Sequence, residues 1–188
     1  VVNPADPNYV LKAPILISLV TQADTAIILT WQNTEEYTRE FMVNRKSDSS
    51  SYSSIATVSK DVFSYVDTSF SVDVSYSYSV LSKVSENLSD NSNSMSKEVK
   101  FSASNLIVEI ISDSKLRTTW IDSCSFEEGF LVERDFGSGY VNIAKTLQNV
   151  TQYTDSSLVY GTNYTYRVAS YTTNDTSGWI TSIPMRTT

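Results

Sequence analysis

Apolar and polar residues alternate along most of this chain with the period of two that marks half-buried strands. Ile27, Leu29 and Trp31 share one face of a segment, Phe41 and Val43 share one face of the next, and the alternation is strongest at Tyr76-Ser-Tyr78-Ser-Val80. The pattern then returns. Trp31, Phe41, Val43 and Arg45 recur 89 residues later as Trp120, Phe130, Val132 and Arg134. After one deletion, Tyr52, Ile55, Tyr65, Asp67, Tyr76, Tyr78 and Val80 recur 88 residues later as Tyr140, Ile143, Tyr153, Asp155, Tyr164, Tyr166 and Val168. Eleven matched positions in order, most of them aromatic or apolar, make this an internal repeat. Short strands roughly every 10 residues, separated by polar turns, predict an all-β chain of two β-sandwiches with seven strands each. Helical periodicity is absent. Residues 1–12 carry two prolines and no periodicity, and read as an extended leader. The first domain is expected over 13–101 and the second over 102–188.

Several segments carry a resemblance. The run Trp120-Ile-Asp-Ser-Cys-Ser-Phe-Glu-Glu-Gly-Phe-Leu-Val-Glu-Arg134 resembles the fibronectin type III domains of bacterial secreted and surface proteins. There a Trp is followed by an Asp-Ser loop, an acidic residue and Gly-aromatic-x-aliphatic-Glu-Arg. Leu158-Val-Tyr-Gly-Thr-Asn-Tyr164 is similar to the family's Leu-x-Pro-Gly-Thr-x-Tyr segment, with Tyr160 in place of the proline. The first copy is more divergent: Glu40 stands where the second has Gly129, and Phe70-Ser-Val-Asp-Val-Ser-Tyr76 is a degraded version of that segment. The resemblance covers about residues 13–188 and implies two tandem immunoglobulin-like sandwiches. It also implies a tyrosine corner, in which Tyr76 and Tyr164 each use a hydroxyl on nearby backbone. On that assignment Tyr164→Phe is expected to cost more stability than Tyr166→Phe. Function is left open, because the family serves as spacer, adhesion and binding module alike.

Composition removes most chemistry. There is no histidine, which excludes Ser-His-Asp, Cys-His and His-metal sites together. The single cysteine, Cys124, excludes an internal disulfide and has no sequence partner that would activate it. Glu35-Glu36 and Glu127-Glu128 are paired carboxylates, but neighbours in sequence splay apart, and both pairs read as solvated loop. Glu86 to Asn93 supplies oxygen ligands without the spacing of a calcium loop, and reads as a polar connection between strands. Five glycines form no phosphate loop. Arg45 and Arg134 read as snorkelling, stem on the core and guanidinium at the rim. The expectation is a non-enzyme without cofactor or metal.

Partners follow from charge and surface. The net charge of −7 is spread evenly, with no basic cluster, so nucleic acid is a poor partner. No run approaches the roughly 18 apolar residues of a membrane span. Four Asn-x-Ser/Thr sequons, at Asn87, Asn149, Asn163 and Asn174, are no more than chance produces in a chain this rich in Ser and Thr. Candidate ligand-binding aromatics are Phe136, Tyr160, Tyr171 and Trp179, whose rings could stack on sugars or anchor a protein. Phe136 follows the third strand, Tyr160 precedes the sixth and Trp179 opens the seventh, so they are expected at both ends of the sandwich, dispersed. No signal segment opens the chain at Val1, and Asn-Pro-Ala-Asp-Pro-Asn resembles the spacer after the anchor cysteine of bacterial lipoproteins. The expectation is therefore an extracellular or cell-surface monomer, lipid-anchored upstream of Val1. It serves as spacer or interaction module of a larger protein. The alternative is a carbohydrate- or protein-binding module using the aromatics of the second domain, its partner a protein or polysaccharide.

Overall fold

A computed structural model describes every residue except 1, 2, 5, 7, 23, 24 and 49. Among the described residues there are strands, turns and bends but no helix. The chain divides into two compact units, Val1–Val99 and Lys100–Thr188.

The first unit contains β1 (Ile15–Gln22), β2 (Ala26–Gln32), β3 (Glu40–Ser47), β4 (Ser53–Ser59), β5 (Ser64–Asp67), β6 (Ser75–Val84), β7 (Asn87–Leu88) and β8 (Met95–Glu98). One sheet has the order β1-β2-β5, and the other β4-β3-β6 with β7 and β8 both on β6. The second unit repeats this with β9 (Ser104–Ser112), β10 (Lys115–Ile121), β11 (Gly129–Asp135), β12 (Val141–Lys145), β13 (Gln152–Ser156), β14 (Asn163–Tyr171), β15 (Ile180–Thr181) and β16 (Met185–Arg186). Its sheets are β9-β10-β13, and β12-β11-β14 with β15 and β16 both on β14. Each copy is thus an antiparallel sandwich with seven strand positions, three facing four. This is the fibronectin type III arrangement that the sequence led us to expect.

The seventh position is broken in both copies, and serine hydroxyls fill the gaps in its ladder. Ser92 Oγ and Ser89 Oγ accept from the N–H groups of Val80 and Ser82 at 3.0 and 2.9 Å. Ser182 Oγ and Ser177 Oγ do the same for Tyr166 and Ser170 at 3.0 and 2.9 Å. A hydroxyl here replaces a missing strand partner for a buried backbone group. The Glu86–Asn93 stretch is therefore a pairing seam. Its Asn93 amide also exchanges two bonds with the backbone of Leu16, each 2.9 Å.

Alternation places one face of each long strand inside. Leu29, Trp31, Phe41, Val43, Tyr78 and Val80 are buried in the first core, and Leu116, Trp120, Phe130, Val132, Tyr166 and Val168 in the second. Trp31 meets Phe41 edge-on at 5.6 Å and Trp120 meets Phe130 at 5.4 Å, so the same aromatic pair fills both cores. The described part of the leader is not extended. It turns at Asp6 and Tyr9, and the Asn87 amide reaches the carbonyls of Pro4, Asp6 and Tyr9 at 3.3, 3.1 and 2.9 Å. Residues 1, 2, 5 and 7 of the expected leader lie outside the described residues.

Two buried polar clusters join the sheets. Asp67, at the end of β5, accepts from Arg45 Nη1 on β3 at 2.7 Å and from the Tyr78 hydroxyl on β6 at 2.8 Å, all on Oδ2. Asp155 on β13 accepts from Arg134 Nη1 at 2.9 Å and the Tyr166 hydroxyl at 2.8 Å in the same way. The arginines therefore do not carry free guanidinium heads at the rim. They turn inward because a buried carboxylate needs a charged partner.

The tyrosine corner is present as well. The Val159 N–H donates to the Tyr164 hydroxyl at 2.9 Å, and the Ser71 N–H to that of Tyr76 at 3.2 Å. Yet the expected ranking reverses. Tyr166 is fully buried and its hydroxyl donates to the Asp155 oxygen that Arg134 also holds, so Tyr166→Phe removes the stronger bond. We expect Tyr166→Phe to cost about 1.5–3 kcal/mol and Tyr164→Phe about 1 kcal/mol. Amide exchange of the β10 and β14 core in the intact chain measures both, and a larger loss for Tyr164→Phe contradicts the cluster.

Candidate functional site

The clusters end in a surface corner, and the two copies finish that corner differently. In the first copy Ser69 closes it. Its N–H and hydroxyl donate to Asp67 Oδ1 at 2.9 and 2.8 Å, and the same hydroxyl accepts from Arg45 Nη1 at 3.2 Å. Burial pushes the Asp67 carboxyl up, and the bonds from Ser69, Tyr78 and Arg45 outweigh it, holding Asp67 below its ordinary value.

In the second copy the counterpart of Ser69 is Ser157, which has a left-handed backbone, φ 62°. Its hydroxyl makes no hydrogen bond to any described residue, and Arg134 Nε is buried without a partner among them. An open cleft of about 300 Å³ lies there, lined by Arg134, Phe136, Ser157, Val159, Thr162 and Tyr164. The turn after β11 holds Phe136 at its edge. Asp135 Oδ1 accepts from the N–H groups of Gly137, Ser138 and Gly139 at 2.7, 3.1 and 2.9 Å, and Gly137 and Gly139 supply φ of 112° and 101°. Bonds from that turn, the Gly137 N–H above all, hold the Asp135 carboxyl low. The Phe136 ring is 52% exposed and tilts against Tyr164 at 6.3 Å, with the Arg134 guanidinium 5.8 Å from its centre.

The four aromatics expected to bind ligand separate into three situations. Phe136 and the loop carrying Tyr160 share one end of the sandwich; the sequence reading spread Phe136, Tyr160 and Trp179 over both ends without saying which share one. The connections after β11 and after β13 both emerge there. Tyr160 is 71% exposed, beside exposed Val159. Tyr171 is not a surface ring. It is only 8% exposed, its hydroxyl is shared between the carbonyls of Thr146 and Glu128 at 3.0 and 3.3 Å, and Lys145 Nζ lies 4.0 Å over its face. Trp179 is half-buried on the sheet beside Arg167, whose guanidinium lies 4.4 Å from the Trp179 ring and 4.1 Å from that of Tyr140. Glu133 fixes that guanidinium at 2.7 Å. The sequence reading missed Arg134, Ser157, Val159, Thr162 and Tyr164 as lining residues. The available signal was that the turn over 135–139 differs in length and composition from its counterpart over 46–51, with Phe136 at the position of Ser47.

The other chemistry-bearing groups have structural partners. Glu35 and Glu127 are not solvated: they are 3% and 2% exposed. Glu35 accepts from the N–H groups of Lys12 and Tyr37 at 3.1 and 3.2 Å, and Glu127 from that of Asn149 at 3.3 Å. Burial is the main cause that pushes the Cys124 thiol up to about 11, leaving it un-ionised and a poor nucleophile at neutral pH. Among the described residues no group of His, Cys, Asp and Glu is arranged to hold a metal ion. Among the same residues no helix is long and apolar enough to cross a membrane.

No family model and no curated protein matches the sequence. Among solved structures, the chain is similar to a two fibronectin type-III domain segment from chicken tenascin. That match has 15% identity and a TM-score of 0.48, and covers 94% of this chain and 100% of that one. The fold assignment rests on the strand order and register above rather than on this likeness.

The electrostatics of the closed corner give a pH dependence. Because the native Asp67 carboxyl lies below its unfolded value, its stabilisation is complete above about pH 4 and is lost as pH falls through the native value. We expect the exchange-derived stability of the first domain to fall below pH 4, and Asp67→Asn to flatten that part of the profile. An unchanged acid slope in Asp67→Asn contradicts the assignment.

Proposed function

We propose that the chain is a non-catalytic spacer and interaction module of a larger extracellular or cell-surface protein, with sandwiches over residues 13–101 and 102–188. One observation carries this reading: the groups with catalytic chemistry are the ones that hold the fold together. Asp67 and Asp155 join sheets, Glu35 and Glu127 hold loops, and Cys124 is protonated. The even distribution of the −7 charge supports a monomer that avoids nucleic acid. A bacterial source and a lipid anchor upstream of Val1 belong to the same reading, and rest on the sequence resemblance.

A second reading, a carbohydrate- or protein-binding module, is favoured by one feature. Phe136, Val159 and Tyr160 expose apolar surface around a cleft at one end of the second domain. A graft separates the two. In the full-length polypeptide, residues 13–188 are replaced by two unrelated sandwiches of the same length. A pure spacer retains the full-length protein's activity and localisation. Loss of either shows that the surface of this chain engages a partner and contradicts the spacer reading.

A further inference from the structure

We propose that the cleft at Arg134, Phe136, Ser157, Val159 and Thr162 binds a neutral saccharide, one sugar ring lying against Phe136 and one of its hydroxyls accepting from Arg134. The inference rests on the second reading above and gives that reading its site and ligand.

The repeat supplies the argument, because the first copy shows what the fold alone requires at this corner. There the ligand-like role belongs to the protein: the Ser69 hydroxyl accepts from Arg45 and donates to Asp67 Oδ1. The group suited to this corner is thus an aliphatic hydroxyl, acceptor and donor at once. In the second copy Ser157 does not play that part, and Asp155 receives its bonds from Arg134 and Tyr166 on Oδ2 alone among the described residues. The Ser157 and Thr162 hydroxyls line the cleft and make no side-chain hydrogen bond to any described residue.

The wall differs as well. The positions of Val159 and Tyr160 are Ser71 and Val72 in the first copy, and Phe136 takes the position of Ser47. Stability of the sandwich does not require an exposed ring here, since the first copy forms the same corner without one. A C–H-bearing face to meet an apolar ring, beside hydroxyls that both donate and accept, is the chemistry of a sugar. Charge decides between neutral and acidic chains. The protein carries −7 overall, and Arg134 is already paired with Asp155, so a polyanionic saccharide gains nothing and is repelled.

The test is a titration of the ¹⁵N-labelled intact chain with cellohexaose, maltohexaose, xylohexaose and chitohexaose. Hexagalacturonate and a proline-rich decapeptide are the comparison probes. At least one neutral hexasaccharide is expected to give saturable shifts of the Gly137, Ser157, Val159 and Thr162 amides. Phe136→Ser, which restores the chemistry of the first copy's turn, should weaken that binding about tenfold or more. Trp179→Ala should leave it unchanged. Three results overturn the proposal: no neutral saccharide shifts these amides, the shifts fall on another face, or the decapeptide or hexagalacturonate binds the cleft more tightly. Any of them leaves the module reading standing, because that reading is decided by the graft.

Discussion

Each sandwich depends on one interaction that crosses between its sheets. Asp67 and Asp155 belong to three-stranded sheets, while the Arg and Tyr that bind them, Arg45 with Tyr78 and Arg134 with Tyr166, belong to the facing sheets. With one cysteine in 188 residues, no disulfide can tie the sheets within either domain. The carboxylate does so through hydrogen bonds. A buried charge is costly unless it is paired and fully hydrogen-bonded, and losing one partner of such a pair costs about 3–5 kcal/mol. This explains why Arg, Asp and Tyr recur at matched positions in a repeat whose surface residues have diverged. The charge also imposes register. Slipping β6 or β14 by one residue would turn Tyr78 or Tyr166 to the outer face and leave the carboxylate without its neutral donor.

Much of the fold could be read from the chain because its strongest signals are local. Alternation around Trp31, Phe41 and Tyr78 is visible within a few residues, and the second copy confirmed each strand. Convergence across the sheets was not local. Arg45, Asp67 and Tyr78 were each recognised as repeated, but strand parity says only that a side chain faces inward. It does not say which inward group on the opposite sheet it meets. Arg45 and Arg134 were for that reason placed at the rim, and the tyrosine-corner hydroxyl was ranked above the one that binds the carboxylate. The same limit applies to Glu35 and Glu127, whose partners lie in the leader and in the connection after β12. For the aromatics the missing information was loop geometry. The connections after β11 and β13 leave the sandwich at one end, which brings the Phe136 turn and the Tyr160 loop together.

The two copies share an interior and differ outside it. On the outer face of the four-stranded side, the second copy stacks Arg167 against Tyr140 and Trp179, where the first has Ser79 bonded to Asn91 at 2.7 Å. On the outer face of the three-stranded sheet, Val20, Ile28 and Val66 sit side by side in the first copy. Glu109, Arg117 and Thr154 take the same register in the second, with Arg117 and Glu109 ion-paired at 2.7 Å. Neither set is required by the core it covers. Duplication therefore separates what the sandwich needs from what its surface adds, and the cleft beside Phe136 belongs to the second category.

The central claim is that the carboxylate, the guanidinium and the phenol act as one unit across the sheets. A double-mutant cycle on Arg45→Met and Tyr78→Phe tests it most directly. Amide exchange of β2 and β6 in the intact chain reports the opening free energy of the first domain. The account predicts a coupling of about 1 kcal/mol or more between the two substitutions. Effects that add to within about 0.5 kcal/mol would show that the two contacts are independent and contradict it.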